Sequence, residues 1–170
     1  MQAPVEIVVI GEVALAAFAE RLAPLLKLGD CVAVYGDLGA GKTTFARALI
    51  RALVDDQTLD VPSPTFALRQ DYACGRAAIV HFDLYRISDP RDLDDIGFDE
   101  ALAQSITLIE WPENAGSALP VARLEIVLTD ADTPESRTMS LIWRGSGEKR
   151  DLKLLSSGAI STVGNSAPET

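Results

Sequence analysis

The stretch from Cys31 to Val54, CVAVYGDLGAGKTTFARALIRALV, leaves the chain few ways to fold. An uncharged run, CVAVY, enters a loop holding Gly36, Gly39 and Gly41. Behind the loop, Phe45, Leu49, Ile50 and Leu53 recur at helical spacing. The first part suits a buried strand and the last an amphipathic helix. Glycines let successive backbone N–H groups turn to one side, and the helix start adds its positive end. Such a loop holds phosphate. Gly36, Gly41, Lys42 and Thr43 fit G-x-x-x-x-G-K-[ST], with Lys42 in reach of the β- and γ-phosphates and the Thr43 hydroxyl suited to Mg2+. An ordinary tight turn with an exposed lysine is the alternative, and the flanking strand and helix weigh against it.

The rest of the chain repeats this alternation. VEIVVI (5–10) reads as a strand, and residues 12–29 as a helix closed by Gly29. VPSPTFALRQDYA (61–73) opens on prolines and becomes strand-like, and AAIVHFDLYR (77–86) and SITLIEWPEN (105–114) read as buried strands. Between them, SDPRDLDDIGFDEALAQ predicts a turn and one or two short acidic helices. Residues 122–132 and 136–145 read as a hairpin. The pattern predicts an α/β three-layer sandwich of the P-loop NTPase type, with a mostly parallel central sheet and some antiparallel strands. One domain is expected over 1–145 and a partly disordered C-terminal extension over 146–170.

The net charge of −10 disfavours tight nucleic-acid binding by the chain's own surface and is compatible with a basic partner. The acidic stretch 88–100 is either a contact surface for such a partner or a solvated helix face. The N-terminus lacks a signal-peptide pattern and no apolar run approaches membrane-spanning length, so a cytoplasmic location is expected. Cys31 and Cys74 form no disulfide framework, and Cys31 reads as a small core residue.

Magnesium needs oxygen partners from neighbouring strand ends. Asp83 and Glu110 each follow an apolar run, and are either metal or water-positioning acids or else solvated or paired with an arginine such as Arg86. No Asn-Lys-x-Asp stretch selects guanine, which leaves ATP as the default nucleotide. Thr65, in SPTF, either senses a γ-phosphate or shapes a proline turn with Ser63. His81 reads as a structural member of its strand. Two other classes fit a phosphate loop: a small kinase, which would need an arginine-rich lid where RDLDDIGFDE is acidic, and a nucleotide-gated binding module.

GDLGAGKTTFAR, SPTFALRQDY, HFDLYR, DIGFDE and IEWPEN, in that order, resemble the bacterial TsaE (YjeE) family over roughly residues 5–145. The resemblance implies an ATP- and Mg2+-binding α/β domain that hydrolyses ATP slowly alone. It implies partners TsaD and TsaB, which place threonylcarbamoyl on adenosine in tRNA, and contact with tRNA only through that complex. Carried over, Asp37, Leu38, Gly39, Ala40, Gly41, Lys42, Thr43 and Thr44 would contact the phosphates, and Thr43 and Glu110 would bind the metal. Lys42, Asp83 and Thr65 would serve hydrolysis, Asp83 through metal-bound or attacking water and Thr65 as a switch. Trp111, Gly11 and Arg137 would lie near the nucleotide.

Overall fold

The computed structural model describes residues 4–75, 77–146 and 150–155. Its strands are β1 (Val5–Ile10), β2 (Cys31–Tyr35), β3 (Arg69–Cys74), β4 (Ala77–Asp83), β5 (Ser105–Glu110), β6 (Arg123–Asp130) and β7 (Ser136–Arg144). They form one seven-stranded sheet in the order β1-β7-β6-β2-β5-β4-β3. The inner pairs β6–β2, β2–β5 and β5–β4 are parallel, and the outer pairs β1–β7, β7–β6 and β4–β3 are antiparallel. Following these directions through the sheet, only β7 and β3 run against the other strands, so the sheet is mostly parallel.

Alternation within the central strands divides the core between two faces. Val32 and Val34 of β2, Ile79 of β4 and Ile106 and Leu108 of β5 pack in one cluster with residues of α1 (Gly11–Leu22) and α2 (Lys42–Val54), among them Phe18, Phe45 and Leu49. Cys31, Val80, Phe82 and Ile109 point the other way and pack with Leu93, Phe98 and Ala101. Burying both faces explains why these strands are continuous apolar runs. Burial also pushes the Cys31 thiol up to about 12.

The acidic stretch forms a 3-10 turn (Pro90–Ile96) and α3 (Phe98–Gln104), separated by Gly97 at φ +65°. Leu93 and Phe98 anchor it in the second core, while Asp92, Asp94, Asp95, Asp99 and Glu100 face solvent.

The helix expected over residues 12–29 is shorter. It ends at Leu22, and Ala23–Leu25 tighten into a 3-10 turn containing Pro24, which has no N–H to continue the ladder. Leu26 is already extended. Gly29, at φ +86°, is no helix cap; it turns the chain into β2 and donates its N–H to the Ser105 carbonyl at 2.9 Å.

Residues 150–155 fall in the expected extension and pack on the domain. Leu152 and Leu155 are buried in the larger core, Arg150 pairs with Asp30, and its guanidinium lies 5.0 Å from the Trp143 ring. The remainder of that extension, apart from residue 146, lies outside the described residues. Among the described residues no helix is long and apolar enough to cross a membrane.

Candidate functional site

Parallel register sets the site. β5 pairs Glu110 with Val34 on one side and with Asp83 on the other. Both acids and the exit of β2 therefore stand abreast at the carboxyl end of the sheet, where open α/β sheets form their ligand crevices. The glycine loop closes this edge. Gly36, Gly39 and Gly41 have φ of +151°, +81° and +98°. A Cβ on Gly36 would stand 2.8 Å from the Leu128 carbonyl oxygen, so the loop can pass β6 only with glycine there. α2 then starts at Lys42, with Phe45 donating to the Gly41 carbonyl at 2.9 Å.

Lys42 is nearly buried. Its Nζ donates to the carbonyls of Gly36 (2.6 Å) and Asp37 (2.8 Å) and lies 3.7 Å from the centre of the Trp111 ring. Burial lowers its pKa, opposed by the charges of Glu110, Glu113, Asp83 and Asp37. Trp111 has left-handed backbone (φ +56°, ψ +49°), an uncommon state for a bulky residue, and its ring meets that of Tyr85 at 5.0 Å.

Each buried carboxylate is fixed by a different set of donors. Glu110 Oε2 accepts from the Thr43 hydroxyl at 2.8 Å, and Oε1 lies 2.8 Å from His81 Nε2. Asp83 Oδ2 accepts from Thr65 Oγ1 (2.7 Å) and Ser63 Oγ (3.1 Å), and Oδ1 accepts the Tyr85 N–H (3.0 Å). Arg86 pairs with neither acid; its guanidinium lies 5.0 Å from the Phe66 ring.

Two adjoining cavities meet at Gly41 and Thr44. One, of about 370 Å³, is lined by Leu38, Gly39, Lys42, Thr43, Ser63, Thr65, Asp83, Glu110 and Trp111 among others. The other, of about 290 Å³, is mostly apolar and holds Gly11, Ala40, Leu128, Arg137 and Met139. The predicted residues thus gather around one edge of the sheet. Asp37 is set apart: its backbone oxygen serves Lys42, while the residue lines a small hollow beside Leu128 and Asp130. Arg137 donates to the Ala40 carbonyl at 3.1 Å, tying β7 to the loop. Gly11 opens α1 and donates to the Glu135 carbonyl at 3.0 Å.

His81, read as structural, touches the site through Glu110. The signal for it is its spacing: His81 and Asp83, two apart on one strand, share a face.

The donor set fits magnesium. Among the described residues no three His, Cys, Asp or Glu side chains form a metal cluster. The cleft instead offers hard oxygens, two carboxylates and hydroxyls, which suits an ion that keeps several waters and completes its shell on phosphate. Thr43 Oγ1 and Glu110 Oε2, joined by a 2.8 Å hydrogen bond, are the pair of oxygens that would hold the ion.

A family model described as "Threonylcarbamoyl adenosine biosynthesis protein TsaE" matches residues 11–139. A Rickettsia felis protein named tRNA threonylcarbamoyladenosine biosynthesis protein TsaE is 37% identical over 142 residues, covering 84% of this chain and 81% of its own. The Bacillus subtilis protein of that name is 38% identical over 120 residues, covering 70% and 73%. Among solved structures, the crystal structure of Bacillus subtilis YdiB superposes with a TM-score of 0.68 at 27% identity, covering 85% of this chain and 88% of that one.

Proposed function

Because the chain belongs to the TsaE family of threonylcarbamoyladenosine biosynthesis, we propose that it is a partner-dependent ATPase that sustains this modification of tRNA. The observation that carries the reading is the convergence of the glycine loop, Lys42, Thr43, Asp83 and Glu110 on one cleft. ATP is the nucleotide, with its phosphates on the loop N–H groups and on Lys42, and its base in the neighbouring apolar cavity near Gly11 and Arg137. Thr43 and Glu110 hold Mg2+, which when bound offsets the charge of the phosphates.

Asp83 holds the attacking water. Its carboxylate is held by the Tyr85 N–H and by the hydroxyl pair of Ser63 and Thr65, which lie 2.7 Å from one another. Two of those donors, Ser63 and Thr65, belong to the proline loop, and an exchange of the Thr65 hydroxyl between Asp83 and the γ-phosphate would make this loop the switch. Trp111 stacks on Lys42 and steadies its ammonium.

Hydrolysis is slow alone and accelerated by the TsaD–TsaB pair, since a switch that fires without its partner carries no signal. The net charge of −10 fits a chain that reaches tRNA only through that pair. Transfer to a small acceptor is the weaker reading. The segment a kinase lid would use is anchored by Leu93 and Phe98, and its one arginine, Arg91, pairs with Asp89.

The test is ATP hydrolysis by the purified chain with and without TsaD–TsaB. Stimulation by the pair, lost in Lys42→Ala, is the expected result. No stimulation and no complex would overturn the partner-dependent reading.

A further inference from the structure

His81 is the one histidine of the chain, and it is fully buried. It sits on β4, where its register partner on β5 is Leu108, and its ring crosses diagonally to Glu110, two residues further along. Glu110 is itself 2% exposed, and its two oxygens are divided: Oε1 faces His81 Nε2 and Oε2 faces Thr43. A carboxylate accepts only, so the bond requires the hydrogen on Nε2. The other ring nitrogen, Nδ1, is buried without a hydrogen-bond partner. Nε2 is therefore the donor of this bond, with its hydrogen aimed at Oε1 of Glu110.

We propose that His81 is a positioning residue for the magnesium site: it pins Oε1 of Glu110 so that Oε2 stays beside Thr43. This rests on the ATP–Mg2+ reading above. It also explains a histidine inside an apolar strand, where a valine would pack at no polar cost. One strand then supplies both the orienting donor, His81, and the water-holding acid, Asp83, from a single face.

The test compares His81→Gln with His81→Asn. A glutamine amide reaches the place of Nε2, and an asparagine amide falls one methylene short, at the place of Nδ1. Both are polar and smaller than the ring, so burial alone separates them little. Affinity for a fluorescent ATP analogue is measured in Mg2+ and in EDTA, with thermal melts to check folding. Outer partners of metal ligands are worth roughly 10- to 100-fold in metal affinity. His81→Asn is expected to lose about tenfold in the Mg2+-dependent gain, with EDTA affinity within about twofold, while His81→Gln keeps most of the gain. Equal gains in the two variants, or an unchanged gain in His81→Asn, would overturn the role of His81. A wild-type chain that binds the analogue no better in Mg2+ than in EDTA would instead sink the ATP–Mg2+ reading, and this inference with it. Nitrogen NMR on the untagged wild-type chain reads the same bond without nucleotide, and the single histidine makes the assignment unambiguous. A hydrogen on Nε2 supports the proposal; a lone pair there refutes it.

Discussion

Replacing Gly36 by alanine should unfold the loop's anchor rather than merely weaken its ligand. At φ +151° the residue occupies backbone space that side chains avoid, which costs about 1–3 kcal/mol. The new Cβ would also stand 2.8 Å from the Leu128 carbonyl oxygen and 3.0 Å from Ala40 Cβ. Leu128 is part of β6, paired with Met139, so nothing flexible can yield. Overpacking of this kind costs about 1–3 kcal/mol more, giving roughly 2–6 kcal/mol in all. Gly39→Ala is the control. Gly39 has φ +81° but a Cβ there would meet no atom within 4 Å. It pays about 1–2 kcal/mol of strain, partly offset by about 0.4–1 kcal/mol from a stiffer unfolded chain. Urea unfolding followed by circular dichroism measures both. With a slope of about 1–3 kcal/mol per molar, a loss near 3 kcal/mol moves the midpoint by about 1–3 M. Gly39→Ala should stay near wild type in urea yet lose nucleotide affinity, because Gly39 lines the cleft. Equal stability losses in the two variants, or a Gly36→Ala loss below about 1 kcal/mol, would refute the reasoning from the Leu128 contact.

Glu110→Ala should weaken Mg2+-dependent nucleotide binding and turnover by about tenfold or more while metal-free binding changes little; full Mg2+-dependent turnover in the variant would remove Glu110 from the metal site. Thr65→Val strips one of the two hydroxyl donors from Asp83. Partner-stimulated turnover should fall about tenfold with ATP affinity within about twofold, and an unchanged rate would leave Thr65 a turn-former only. Cys31 gives a pH test. Burial raises its thiol from 9.0 to about 12, so as pH climbs above 9 the unfolded chain loses this proton first and stability falls toward pH 12. At pH 10 the loss is about 1.4 kcal/mol relative to pH 8, and it should be absent in Cys31→Ala when the two proteins are unfolded in parallel. Parallel pH profiles for the two proteins would contradict it.

The loop was legible because its chemistry is local: Gly36 to Thr43 act over eight consecutive positions, between a strand and a helix that both show their period. Asp83 and Glu110 could be read as strand ends, but not as neighbours, since their adjacency comes from the β4–β5 register between segments far apart in the chain. The same holds for the strand order, in which β7 turns back to seat β1 at an edge. His81 was hidden for a related reason. Its partner lies diagonally across a strand pair, and the two-residue spacing to Asp83 marks a shared face without pointing to Glu110. Pro24 misled through its position. The apolar spacing of residues 12–26 continues past it, while the backbone cannot continue the same helix. Leu152 and Leu155 carry only a two-residue signal, too short to announce a packed turn.

The place of β5 bears on how the protein comes together in time. β5 lies between β2 and β4, two strands that precede it in the chain and that have no pairing with one another. Neither half of the cleft can be completed until this late segment inserts, and the insertion closes long loops before it is rewarded. Glu110 arrives on that inserting strand. A nucleotide with its metal therefore finds its full set of partners only once β5 is seated between β2 and β4. Added to a refolding chain, it should leave the folding rate alone and slow unfolding instead, acting as a lock on the finished sheet rather than a template for it.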